Sequence, residues 1–514
     1  MTQLHLLTES PLLTHPTLDC VMAWRKGQAV SVRTFLRDVY LLANLLPPGG
    51  HMLNICRDRY HFAVGLAAAI VSNKISLLPP THTPEMVQQL LAFAPDAFCL
   101  YDQPDCTDLL PRLRYPQTEP LCDDTNTKSA SANPTQLSSP EPFTIPVIDA
   151  DQCVAMVFTS GSTGTPLPHA KSWGSLVRNV QAQAARLQLN GQDAYTIIGT
   201  VPPQHMYGFE STVLLALQSG NALSCEQPFY PADICSTVAS VPMPRMVVST
   251  PLHLRLLLDA GLQLPLATLV LSATAPLSTQ LAHKVETAFD APLLEIYGST
   301  ETGQIATRRT TQTAEWQLLP EIRLEERSER VWASHGHIEI PVALNDIVEL
   351  IPEPLSEGQR FLLHGRMQDL INIAGKRTSL ANLDYHLNSI PGVTDGAFYM
   401  PDEDPHDHVT RLVACVAAPG LTASRLLAEL RTRIDAVFLP RPLLLVASLP
   451  RNSTGKLPRD ILRQFIAMHI AAAGKKAAEG VHGNLDVDLK SGLIEETTPP
   501  SLHPKNATES KSTA

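Results

Sequence analysis

No stretch of this chain approaches the roughly 18 consecutive apolar residues of a membrane helix, and its start, MTQLHLLTESPLLTHP, has no basic segment leading a long apolar run. Neither a transmembrane segment nor a secretory leader is expected, and the chain reads as cytoplasmic. Its nine cysteines are scattered singly, with no CxxC pair and no His/Cys cluster at zinc spacing. That usage suits a reducing compartment and argues against a disulfide framework or a zinc ribbon. Basic residues are outnumbered, 39 Lys and Arg against 50 Asp and Glu, for a formal net charge of -11. A chain so charged has no blanket attraction for nucleic acid or anionic membrane, which leaves small molecules as the natural partners. Internal repeats are absent as well. At 514 residues, 44% of them hydrophobic, the chain exceeds what one core usually covers, so two or more domains are expected.

What the chain does have is the decapeptide Val157-Phe158-Thr159-Ser160-Gly161-Ser162-Thr163-Gly164-Thr165-Pro166, directly behind the apolar run Cys153–Phe158. Gly161 and Gly164 let the backbone turn its amides toward an anion, while Thr159, Ser160, Ser162 and Thr163 add hydroxyl donors. A Walker A loop is excluded, because no second Gly-Lys stands at the required distance. A Ser/Gly-rich surface turn remains the plain alternative for such a decapeptide taken alone.

Four further motifs follow in order: Tyr297-Gly298-Ser299-Thr300-Glu301, Asn345-Asp346, Gly365-Arg366-Met367-Gln368-Asp369 and Asn452-Ser453-Thr454-Gly455-Lys456. This ordered set, running from the first third of the chain to about residue 470, resembles the adenylate-forming superfamily of acyl-CoA synthetases, aryl-acid ligases, luciferases and peptide-synthetase adenylation domains. The resemblance implies that the chain activates a carboxylic acid with ATP and Mg2+. Residues 159–164 would hold the departing phosphates, Thr300 would bond the α-phosphate and Glu301 would ligate the metal. Tyr297, Gly298 and Ala273 would flank the adenine, Asp346 would accept from the ribose hydroxyls, and Arg366 and Arg377 would contact ribose or phosphate oxygens. Lys456 would bridge acid and α-phosphate, and His205, in Pro203-Gln204-His205-Met206-Tyr207-Gly208, would gate the acid pocket.

Each position also has an ordinary reading. Glu301 fits a helix start, Asp346 and Arg366 fit plain surface ions, and Lys456 fits a solvated loop lysine. His205 fits a helix-start histidine making an ordinary hydrogen bond.

The fold class expected from the pattern is α/β. Helix and strand alternate through Phe62–Val71, Ile75–Leu78, Pro84–Phe93 and Ala97–Tyr101, and strand patterns recur at Tyr195–Gly199, Met246–Ser249, Leu269–Ala273 and Leu293–Tyr297. Such alternation argues for parallel sheets covered by helices. Short β-like segments between Trp316 and Glu349 suggest a small antiparallel subdomain. We therefore expect a multi-layer N-terminal domain over residues 1–364, with a flexible insert at 115–142. A small mobile α+β domain is expected over 365–473, including helices Ala423–Val437 and Asp460–Ala473, and a disordered tail over 474–514.

The resemblance further implies transfer of the acyl group to a pantetheine thiol, of coenzyme A or of an acyl carrier protein. The acid is expected to be aryl or fatty rather than an amino acid, because the Met206–Val213 stretch looks like an acyl or aryl pocket. The Pro168-His169-x-Lys171-x-Trp173 stretch is similar to free-standing ligases that load carrier proteins. Three departures stand out. Leu167 occupies the place of the usual lysine after the loop proline, Gln368 stands at the hinge, and both glycines of a Gly-Gly-Ala-Pro-Leu turn are replaced in Ala273-Thr274-Ala275-Pro276-Leu277. Leu167 and Gln368 motivate a rival reading, a nucleotide-binding sensor or scaffold that has lost catalysis.

Overall fold

The structure is a computed structural model that describes residues 8–103, 109–116, 144–159, 166–191, 193–328, 330–352, 359–366, 370–373, 376–401, 411–452, 455–478 and 493–494. The chain divides into two compact units, one of Met1–His364 with Ser453–Lys456, the other of Gly365–Asn452 with Leu457–Ala514.

In the first unit, buried apolar runs make two sheets. Ile75–Leu78 lies parallel to both His51–Asn54 and Cys153–Thr159 in a six-stranded sheet. Thr196–Gly199, Arg245–Ser249, Leu269–Ser272 and Leu293–Ser299 run parallel through an eleven-stranded one. A three-stranded antiparallel sheet, Arg323–Arg327, Arg330–His335 and Ile338–Ala343, stands apart. One apolar cluster takes Met52, Leu78 and Val157 from the first sheet and Ile197, Met246 and Leu271 from the second, with the Arg59–Val71 helix contributing nine of its residues from Tyr60 to Ile70. Burial of this extent, about 25 cal/mol per Å2 of apolar surface, is what joins the sheets.

The helices start where the sequence offers caps. The Ser31 hydroxyl accepts from the Thr34 amide, Asp58 accepts from Tyr60 and His61, and Ser172 accepts from Ser175. Arg59 is fully buried and donates to the carbonyls of Glu226 at 2.9 Å, Gly199 at 3.1 Å and Val201 at 2.8 Å.

The second unit is α+β. Asp395–Tyr399 pairs antiparallel with Val413–Ala417, which lies parallel to Leu443–Leu445. Helices Leu380–Asn388 and Ala423–Arg431 supply Leu383, Leu387, Leu426 and Leu430 to one apolar cluster, and Arg459–Ala478 supplies Leu462 and Ile466 to another. An Arg451–Asp395 fork, 2.7 and 2.8 Å, ties the chain after the last of these strands back to the first.

Three expectations are corrected. The helix expected over Ala423–Val437 stops at Arg431, and a separate 3-10 turn, Ala436–Phe438, is capped by the Asp435 carboxylate. Tyr115, placed in the flexible insert, is buried and stacks on His61 at 3.8 Å. The last helix runs on to Ala478, and Leu493–Ile494, an apolar pair within the expected tail, forms a strand beside Leu443–Leu445. Residues 117–142 of the insert and the remainder of the tail lie outside the described residues.

Candidate active site

Leu293–Ser299 is the last of the four parallel strands named in the eleven-stranded sheet, and at its end the chain reverses into Gly303–Arg308. The tip of this hairpin carries Thr300 and Glu301, at the C-terminal end of a parallel strand, where open α/β sheets bind ligands. Two glycines make the reversal possible. A Cβ on Gly298 would sit 2.2 Å from the Gly303 carbonyl oxygen, and Gly303 has a φ of +67. Within the tip, the Ser299 amide donates to Thr302 Oγ1 at 3.1 Å and the Thr302 amide returns to Ser299 Oγ at 3.2 Å.

Both carbonyls flanking Glu301 are held from outside the hairpin. Lys171 Nζ donates to the Thr300 oxygen at 2.5 Å, and His337 Nε2 donates to the Thr302 oxygen at 2.9 Å. Glu301 itself is about a third exposed, with His169 Nε2 at 3.8 Å. His169 Nε2 also lies 3.0 Å from Thr159 Oγ1, at the last described residue before the Gly-rich loop. His169 and Lys171 belong to Leu167–Ser172, a strand antiparallel to Cys153–Thr159. The period of two puts Leu167, His169 and Lys171 on one face, where exposure falls along the strand from 56% at Leu167 to 8% at Lys171.

Two of the nucleoside candidates, Tyr297 and Asp346, meet at the first strand of the same hairpin. The Tyr297 hydroxyl donates to Asp346 Oδ2 at 2.6 Å, and the Tyr297 ring packs against Trp316 and Phe361 at 5.7 and 5.6 Å. Ala273 follows the neighbouring Leu269–Ser272 strand, and Thr274 beside it has a φ of 80, the left-handed region that the replaced glycine would enter without strain. His205 begins the Met206–Gly208 turn and makes no side-chain cap bond to it. Burial, with Lys456 and His82 adding to it, pushes its pKa down to about 4, so the imidazole is neutral at pH 7. Lys456 is exposed and is grouped with the first unit. Ser160, Gly161, Ser162, Thr163, Gly164 and Gln368 lie outside the described residues. Arg366 ends the strand Arg360–Arg366 and Arg377 lies in Lys376–Ser379, and only their backbones are described.

Beneath the tip lies a buried polar group that sequence reasoning did not assign. Glu210 sits in the π-helical stretch Phe209–Leu214, where Asn179 donates to it. Burial raises its carboxyl to about 7, outweighing the attraction of Lys171 and of its amide donors. Gln304 donates to Ser211 Oγ at 3.0 Å, as does Gln183 at 3.2 Å. Asn179 and Gln183, four residues apart on the buried face of Trp173–Arg186, were the available signal: two amides in an otherwise apolar helical stripe.

The hairpin tip suits a hard cation shared with phosphate oxygens, since Mg2+ is usually held by one or two carboxylates and its other ligands come from substrate and water. Among the described residues no group of three His, Cys, Asp or Glu side chains could hold a metal ion alone. An open cleft of about 520 Å3, lined by Asp193, Ala194, Met243, Pro244 and Thr268, lies at the opposite, N-terminal ends of the parallel strands and takes no part in this geometry.

Similarity to known proteins gives the family. A family described as AMP-binding enzyme matches residues 40–347, more than half of the chain. A 4-coumarate–CoA ligase of Rhodobacter capsulatus is 30% identical over 59% of this chain and 74% of its own length. An indoleacetate–CoA ligase of Aromatoleum aromaticum is 23% identical over 63% of this chain and 68% of its own. In fold, the chain resembles the o-succinylbenzoate CoA synthetase of Bacillus subtilis in complex with its acyl-adenylate, with a TM-score of 0.70 at 17% identity over 88% of this chain and 98% of that one. ATP-bound MatB from Rhodopseudomonas palustris gives 0.71, also at 17% identity, over 88% of this chain and 97% of that one. The ordered motifs, the strand-end hairpin and these matches together place the chain in the AMP-binding, adenylate-forming enzyme family.

Proposed function

We propose that this chain is an AMP-forming acid–thiol ligase that activates an aryl or fatty acyl carboxylate with ATP and passes it to the pantetheine thiol of coenzyme A, or of an acyl carrier protein, in the cytoplasm. The observation that carries the proposal is the hairpin that sets Thr300 and Glu301 beside the loop strand at one end and Tyr297 with Asp346 at the other. One β-turn thereby spans the distance between a nucleoside site and a phosphate site.

In the first half-reaction a carboxylate oxygen attacks the α-phosphorus, the bond to the bridging oxygen breaks, and pyrophosphate leaves. Thr300 would bond the α-phosphate, and Lys456 would neutralise charge gathering between acid and phosphate. Glu301 would hold the Mg2+, which supplies charge neutralisation on the phosphate oxygens when bound. Residues 159–164 would keep the departing phosphates, Asp346 the ribose, Tyr297, Gly298 and Ala273 the adenine, and Arg366 and Arg377 the ribose or phosphate oxygens. In the second half-reaction the thiolate sulfur attacks the acyl carbon and AMP departs. A neutral His205 suits the wall of an acid pocket, because it brings no positive charge to compete with Lys456 for the carboxylate. Relatives that bear the names of aryl-acid ligases, 4-coumarate and 4-chlorobenzoate among them, support an aryl acid.

The exposed Leu167 in the place of the loop lysine favours the second reading, a nucleotide-binding sensor without turnover. Acid-dependent ATP–pyrophosphate exchange, measured over a panel of aryl, fatty and amino acids, separates the two. Exchange with aryl or fatty acids supports the ligase, and no exchange with any acid overturns it.

A further inference from the structure

Two buried side chains reach the backbone on either side of Glu301, and neither belongs to the five ordered motifs at 157–166, 297–301, 345–346, 365–369 and 452–456. Lys171 is 8% exposed and His337 is 4% exposed. Their polar atoms are directed at the carbonyl oxygens of Thr300 and Thr302, one on each side of Glu301. An ammonium taken out of water needs a compensating partner, and the Lys171 pKa is lowered by burial against the pull of Glu210, Glu301 and Glu339. Its carbonyl acceptor is therefore part of what keeps the side chain in place. His337 is buried and neutral, its pKa pushed down to about 4 by burial, and the Thr302 carbonyl requires its Nε2 to carry the proton. With both oxygens fixed, the Thr300–Glu301 and Thr302–Gly303 peptide planes are restrained on either side of Glu301, and the direction of its side chain with them.

We propose that Lys171 and His337 are positioning residues for Glu301. They clamp the two carbonyls that flank it, so that its carboxylate is held ready for a divalent cation. The lysine missing at residue 167 is thus answered by one on the strand behind the loop, acting on the peptide backbone instead of on phosphate. This inference rests on the metal role proposed for Glu301.

The test is calorimetric binding of ATP to the full chain, with and without Mg2+, which needs no acid substrate and no turnover. Lys171→Met and His337→Phe are each combined with Glu301→Gln. In the native background each variant should reduce the Mg2+-dependent gain in ATP affinity by about 10-fold, the usual scale for losing an outer partner of a metal ligand. In the Glu301→Gln background the same change should cost less than about 2-fold, because the residue acted upon is gone. His337→Gln, which keeps a donor, should recover most of the loss.

Equal losses with and without Glu301, or losses in ATP affinity that do not depend on Mg2+, would overturn the clamp. If neither variant folds, the two side chains support the hairpin as a whole and the proposal falls. A native chain that binds ATP no better with Mg2+ than without would instead remove the metal role of Glu301, and this inference with it.

Discussion

Replacing Glu210 by glutamine should stabilise the protein above neutral pH and do nothing near pH 4.5. The carboxyl is fully buried, and its pKa stands at about 7 against an ordinary value of 4.5, with burial the largest cause. Between those two values the folded chain keeps a proton that the unfolded chain has released. Stability therefore falls as pH rises through this window, and levels off once the folded group has also ionised. The span is worth about 3 kcal/mol at 1.36 kcal/mol per pH unit. Glutamine keeps an oxygen for the Asn179 amide and cannot ionise, so the variant should lack this slope. Thermal melts of both chains from pH 4.5 to 8.5 should diverge with rising pH, the variant melting on the order of a few degrees higher at pH 8. A variant less stable than the native chain by one margin at every pH would refute the reasoning. It would mean that Glu210 is an ion at all these pH values, held by the nearby Lys171 cation, and that pairing outweighs burial.

Arg59→Met should cost about 3 kcal/mol or more, measured by denaturant unfolding, because it strips the shared donor from the carbonyls of Gly199, Val201 and Glu226 in a buried site. A cost below about 1 kcal/mol would show that those carbonyls find other partners. Thr274→Gly should leave the melting temperature unchanged or raise it, since a β-branched residue at a φ of 80 stores roughly 1–3 kcal/mol of strain. A fall of several degrees would contradict this. Lys456→Ala should greatly slow adenylate formation yet spare thioester formation from a supplied acyl-adenylate, as only the first step gathers charge between acid and phosphate. Equal loss in both half-reactions would remove the role proposed for it.

Much of the scaffold was legible because its signals are local. Ile75–Leu78 and Pro84–Phe93 were read with the bounds that the structure gives them, since a buried apolar run and a Thr83 cap with proline in the first turn mark their own limits. Leu167–Ser172 carries no strand signal of its own, because its residues, LPHAKS, set His169 and Lys171 on one face and show no apolar period. What buries those two is Thr159, Thr300 and Glu301, at distances along the chain of up to 132 residues that no spacing rule reaches. The same holds for Glu210, Asn179 and His337, polar residues whose partners are supplied by tertiary packing alone. The break after Arg431 escaped for a different reason. Leu430, Ile434 and Phe438 keep a near-helical spacing through it, while Asp435 prefers to bond its own backbone two residues on.

The most direct measurement is acid-dependent exchange of labelled pyrophosphate into ATP by the native chain with Mg2+ present. Hydroxybenzoate-like, cinnamate-like and fatty acids should support exchange and free α-amino acids should not, with the rate falling sharply in Glu301→Gln. Exchange driven only by an amino acid would overturn the substrate class, and no exchange with any acid would contradict adenylate formation itself.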